Sequence, residues 1–138
     1  MTTTSKAISL DSVLTGITGR LCGNFADFHE AVDVMFPGIT NVGLAYMSKE
    51  IAEEMRMQFP VIAMWVNENH CDWNNKEAFL AWRDRANATF PMLFTIRGPV
   101  AVEESVIAEN CKKFFDGVDE SREKSGRGPL EFMAVRVG

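Results

Sequence analysis

Apolar residues recur at helical spacing through four stretches of this chain, with polar residues on the faces between them. From Phe25 to Phe36, the positions Phe25, Phe28, Val32, Met35 and Phe36 share one side of a 3.6-residue period, and Asp27, Glu30 and Asp33 face away. Asn24 stands where an N-cap belongs. A second helix is expected over Leu44 to Phe59, with Leu44, Met47, Ile51 and Met55 in line and Glu50, Glu53 and Arg56 outside. Met57 lies off that line and adds to a Met-rich face suited to adaptable contacts. A third helix, Lys76 to Ala88, begins after Asn74-Asn75 and gathers Phe79, Trp82 and Ala86. The fourth, Val102 to Phe115, gathers Ile107, Cys111, Phe114 and Phe115, and a helical turn fits Leu10 to Leu14. Three helical stretches run into Phe-Pro pairs at Phe36-Pro37, Phe59-Pro60 and Phe90-Pro91. Proline lacks the N–H that a helix needs and disfavours helix in its predecessor, so each pair reads as a stop.

Strand signals are fewer. Met92 to Ile96 is a short apolar run between Pro91 and Gly98-Pro99, and Leu130 to Val137 alternates imperfectly and is rich in β-formers. Val61 to Val66 fits a strand or a buried helix equally, because periodicity does not separate them at that length. Asp116 to Pro129 carries Gly117, Gly126, Gly128 and alternating charge, and reads as a mobile loop. Residues 1–8 read as an N-terminal arm. The fold expected is a single α+β domain over residues 1–138, with about four helices packed on a small antiparallel sheet.

Composition narrows the function. A chain of 138 residues, 46% apolar, with ten Phe, three Trp and eight Met, is enough for one core and excludes a disordered chain. Fourteen basic against nineteen acidic residues leave a net charge of −5, which argues against general nucleic-acid binding. No stretch approaches the roughly 20 apolar residues of a membrane span, and Met1 to Lys6 lacks the apolar segment of a signal peptide. Cys22, Cys71 and Cys111 are widely spaced and odd in number, as expected of free thiols in a reducing cytoplasm.

The opening of the chain carries a resemblance. Ser9-Leu10-Asp11-Ser12-Val13-Leu14, then Ile17-Thr18-Gly19-Arg20-Leu21, then the helix from Phe25 and a second helix closing in Gln58-Phe59-Pro60, resembles a group of small phage and prophage proteins of undefined function. In that group a LxxVLxxxTGRL opening precedes a short amphipathic helix. The match covers less than half of the chain. It implies a phage setting, hence the host cytoplasm, and little about chemistry.

Several residues are candidates for function. Gly19 and Arg20 form a turn in which backbone N–H groups and a guanidinium could meet an anion, although no phosphate-binding glycine motif is present. Arg83 falls inside the apolar stripe of the third helix, where it must reach solvent, a counter-charge or a ligand. Trp73 and Trp82 offer stacking surfaces, though aromatics at helical spacing commonly serve the core. His70, Cys71 and Asp72 stand together and invite a metal or thiol reading, but they lack the spacing of joint ligands. His29 and Asp33 sit four residues apart, as an acid–base pair or an ordinary surface pair would. No cofactor or metal is implied.

The reading that follows is a non-enzymatic phage accessory protein. It would bind a host protein, one of host defence included, or sequester a small anionic or nucleotide signal. Its contact residues would be Gly19, Arg20, Trp73, Trp82 and Arg83, and a homo-oligomer is compatible with this. The alternatives are a virion subunit of tail or head completion, whose apolar surface is covered on assembly, and a small hydrolase using His70, Cys71 and Asp72.

Overall fold

The computed structural model describes residues 3–124. In chain order these form β1 (Thr4–Ile8), α1 (Leu10–Thr18), α2 (Phe25–Met35), α3 (Asn41–Tyr46), α4 (Ser48–Gln58), α5 (Pro60–Glu68), α6 (Lys76–Thr89), β2 (Phe94–Gly98) and α7 (Glu104–Lys124). Side-chain oxygens open four of the helices. Ser9, Asn24, Thr40 and Asn75 accept from the backbone N–H groups of Ser12, Asp27, Gly43 and Ala78, filling donors that the first turn leaves unpaired. The Phe-Pro pairs close α2, α4 and α6 in nearly the same way. Phe36, Phe59 and Phe90 take φ of −128°, −127° and −124°, as a residue before proline must when it leaves the helical region. At Phe59 the chain turns and re-enters helix at once, with Pro60 in the first turn of α5.

β1 and β2 pair antiparallel, with Lys6 opposite Ile96 and Ile8 opposite Phe94. One face of this two-stranded sheet lies on α2, where Ile8 and Ile96 are buried and Lys6 forms a 2.8 Å ion pair with Glu30. Ser5, Ala7, Thr95 and Arg97 make up the other face, which is exposed. The outer edge of β2 is capped at Arg97 by a side chain. Gln58 donates its amide N–H to the Arg97 carbonyl and accepts the Arg97 N–H, both at 2.8 Å. Since Arg97 therefore points away from β1, the alternation of the ladder turns the backbone groups of Ser5 and Ala7 outward as well.

Helices α1, α2 and α4 pack on one another around Val13, Leu14, Val32, Met35, Ile51 and Met55, all buried. Trp82 and Ala86 bring α6 onto the same core. No helix among the described residues is long and apolar enough to cross a membrane.

The α+β class and the antiparallel sheet stand, and the detail changes. Seven helices are present among the described residues where about four were expected. The span Leu44 to Phe59 breaks at Met47, which ends α3 and precedes α4, yet Leu44, Met47, Ile51 and Met55 stay buried in line. Val61 to Val66 is helix. Residues 4–8, read as part of an arm, supply the partner strand of β2. Asp116 to Lys124 continues α7 and is not loop. Residues 125–129 of that expected loop, and the expected strand Leu130 to Val137, lie outside the described residues.

Candidate functional site

The turn after α1 is built by two threonines. Thr15 and Thr18 donate their hydroxyls to the carbonyls of Asp11 and Leu14, both at 2.7 Å, which fixes each oxygen to accept from the chain as it turns back. Thr18 accepts the Arg20 N–H at 3.1 Å, and Thr15 accepts the Cys22 N–H at 2.9 Å. Gly19, at φ 73°, holds the left-handed position and donates its N–H to the Thr15 carbonyl. The N–H groups of Gly19, Arg20 and Cys22 are thus all engaged within the turn, so the backbone anion cradle expected there is absent. What the turn presents is the Arg20 guanidinium, 5.9 Å from the centre of the Trp73 ring.

Arg83 has a different task from the one expected. It is half-buried, and it donates Nη1–H to the Cys22 carbonyl at 3.2 Å. One turn along α6, Asn87 donates to the Asp11 carboxylate at 3.2 Å. Together these bonds tie α6 to the start of α1 and to the turn that follows it, which explains a guanidinium within an apolar stripe. Beneath them the Cys22 thiol is pushed up to about 11, chiefly by burial.

Trp82 is fully buried and donates its indole N–H to the Asn69 carbonyl at 2.7 Å. Its ring meets those of Trp65 at 5.4 Å, Trp73 at 5.2 Å and Phe79 at 6.3 Å. It therefore supports Trp73 from behind and reaches no ligand itself. Trp73 is half-buried and forms one wall of an open hollow of about 490 Å³, together with Thr18, Arg56, Asn67, Asn69, His70 and Cys71. Arg56 comes from α4, His70 from the loop after α5, and Arg20 from the turn whose Thr18 lines the same hollow. Among the described residues, no acidic side chain lines it, and neither Arg20 nor Arg56 takes part in an ion pair.

Sequence reasoning singled out Arg20 and Trp73 but placed Arg56 merely on the outside of a helix. Nothing local marks Arg56, because its neighbours here are brought together only by the packing of α1, α4 and α5.

The catalytic candidates are not assembled for catalysis. Partial burial and the neighbouring Asp72 raise the Cys71 thiol above its ordinary value, with Arg85 opposing, so the thiolate that nucleophilic chemistry needs is disfavoured. His29 bonds the Ile39 carbonyl through Nε2 at 2.8 Å, and Asp33 accepts the Gly38 N–H at 2.8 Å, so the two do not form a pair. Among the described residues, no three His, Cys, Asp or Glu side chains converge as a metal ion would require.

A second surface is apolar. A groove of about 250 Å³ runs between the α4–α5 corner and the approach to β2, with Phe59, Val61, Phe90 and Phe94 in its walls. Met57, Val61, Met64, Met92 and Leu93, from the same two segments, are each more than half exposed. Comparison with protein-family models, with curated proteins and with solved structures finds no match, so no relative supplies a role for either surface.

Proposed function

We propose that this chain is a non-enzymatic phage accessory protein that acts in the host cytoplasm by sequestering a small anionic signal in the hollow beside Trp73. The observation that carries this reading is that Arg56 lines one hollow, Arg20 rests over its Trp73 wall, and no carboxylate lines it among the described residues. In a chain of net charge −5, acidic partners are plentiful, yet among the described residues neither guanidinium is paired with one. Such a cluster raises the local concentration of anions, and each guanidinium offers a planar fork to a phosphate or carboxylate. Binding rather than turnover is favoured because Cys71 is held as a thiol and His29 and Asp33 are engaged elsewhere.

Calorimetric titration with inorganic phosphate and phosphorylated metabolites tests this reading. Arg56→Ala should weaken binding at least fivefold while leaving the melting temperature unchanged, since Arg56 is exposed and makes no hydrogen bond among the described residues. Wild-type protein that binds no anion, or an Arg56→Ala variant that binds as tightly, would refute it.

The exposed apolar rim of the α4–α5 corner favours a second reading, in which a host protein or a neighbouring virion subunit covers this face. Val61→Glu with Met64→Glu should then abolish co-purification with the host partner, or incorporation into particles, without unfolding the chain.

A further inference from the structure

We infer that the anion carries an aromatic ring, as a nucleotide does, and that Arg20 exchanges the Trp73 indole for the phosphate when the ligand binds. This rests on the anion-binding reading and adds to it a ligand class and a moving part. Trp73 is braced for stacking. Trp82 meets its ring edge-on at 5.2 Å and Phe79 meets it at 6.0 Å, so the indole is held from within the fold while it borders the hollow. In the free protein the Arg20 guanidinium rests over that indole. An exposed cation–π contact is weaker than a nucleobase stacked on an aromatic ring, so a base displaces the guanidinium.

The displaced side chain stays nearby. The Arg20 backbone is pinned by the Thr18 hydroxyl and by the left-handed Gly19, so the side chain swings from a fixed root. Arg56 supplies a second guanidinium from α4. Two guanidinium charges match the two negative charges of a nucleoside monophosphate, and forked contacts to phosphate are the strong kind. On the same lining, Asn67 offers a carboxamide whose donors and acceptor suit the edge of a base. A hollow of about 490 Å³ falls within the range of small-molecule sites.

The experiment titrates the full chain with the four nucleoside 5′-monophosphates, the corresponding nucleosides and inorganic phosphate, read by calorimetry and tryptophan fluorescence. At least one monophosphate should bind tenfold or more tighter than phosphate and change the tryptophan emission. Arg20→Ala, an exposed change, should weaken that monophosphate at least fivefold while the uncharged nucleoside binds as well as before or better, because the indole is uncovered. Trp73→Leu, checked for folding by circular dichroism, should bring the monophosphate down to the affinity of phosphate and leave phosphate within twofold. Equal affinity for phosphate and every monophosphate would overturn the inference while sparing the anion reading. Binding of no anion at all would overturn both. Parallel loss of nucleoside and nucleotide in Arg20→Ala would overturn the exchange, since it would make the guanidinium part of the base site.

Discussion

Replacing Gly98 with alanine tests how closely the sheet is seated on α2. A Cβ at this position would overlap the Val34 carbonyl oxygen outright, with the Val34 carbonyl carbon at 2.6 Å and the Met35 Cα at 2.9 Å. All three atoms are backbone, and no rotamer change relieves the clash. Gly98 is needed here for space rather than for conformation, because its φ is not positive, unlike those of Gly19 and Gly38. β2 must therefore retreat from α2. Retreat exposes part of Ile96, which is fully buried, and strains the 2.7 Å bond from the Val100 N–H to the Met35 carbonyl just beyond the strand. Uncovering such a side chain costs about 1.5–3 kcal/mol, and losing a hydrogen bond costs about 1 kcal/mol more. The expected loss is then about 2.5–4 kcal/mol, a large share of the roughly 5–15 kcal/mol that holds a domain folded. That corresponds to a drop of roughly 10 °C in melting temperature. Urea unfolding followed by tryptophan fluorescence measures it, with Gly16→Ala as the comparison. At Gly16 the new Cβ meets only the Met55 side chain, at 2.8 Å from Cγ, and a flexible thioether yields where backbone does not. Gly16→Ala should cost at most about 2 kcal/mol, the overpacking against buried Met55 being offset by alanine's higher helix propensity. A Gly98→Ala protein as stable as Gly16→Ala would refute the reasoning.

Three further outcomes are expected. Gly117 lies within α7, and among the described residues nothing stands within 4 Å of where an alanine Cβ would sit, so Gly117→Ala should raise stability by up to about 1 kcal/mol in thermal melts. Cys22 has its folded value raised from 9.0 to about 11, so the stability it contributes is complete below pH 9 and is lost as pH rises from 9 towards 11. Cys22→Ala should flatten that part of the stability–pH curve in urea titrations, and in the wild type at pH 8 an alkylating reagent should label Cys71 and Cys111 before Cys22. Gln58→Leu removes both bonds to the Arg97 backbone and should cost about 1–2 kcal/mol, with faster amide exchange at Arg97.

The helices that were legible in the sequence are those whose signals are local. Asn24 and Asn75 open α2 and α6, and the Phe-Pro pairs close them, because caps and prolines act within a turn of where they stand. The length of α1 was not legible. Thr15, Gly16 and Thr18 are poor helix formers, and the helix persists because Gly16 admits Met55 and both threonines bond back to preceding carbonyls. β1 was not legible because its sequence, Thr-Ser-Lys-Ala-Ile, buries only Ile8, and the alternation that marks a strand is missing. Arg20 and Trp73 could be singled out, as an arginine beside a glycine and an indole in a polar loop. Their contact across the fold could not, nor could the arrival of Arg56, since both depend on how α1, α4 and the loop before α6 pack.

The carboxamide of Gln58 carries the same donor and acceptor as a peptide group, and at Arg97 it stands in for one residue of a third strand. The two-stranded sheet is therefore capped at one residue of its β2 side and uncapped on the other side. Along β1, the outward backbone groups of Ser5 and Ala7 make no hydrogen bond among the described residues. A ribbon that is sticky along both borders can string copies into a filament, because every addition leaves a fresh border behind. With the glutamine seated at Arg97, an incoming segment meets an obstacle along β2 that it does not meet along β1. Two copies that met at β1 would use up both open borders, and the glutamine of each would oppose growth beyond the pair.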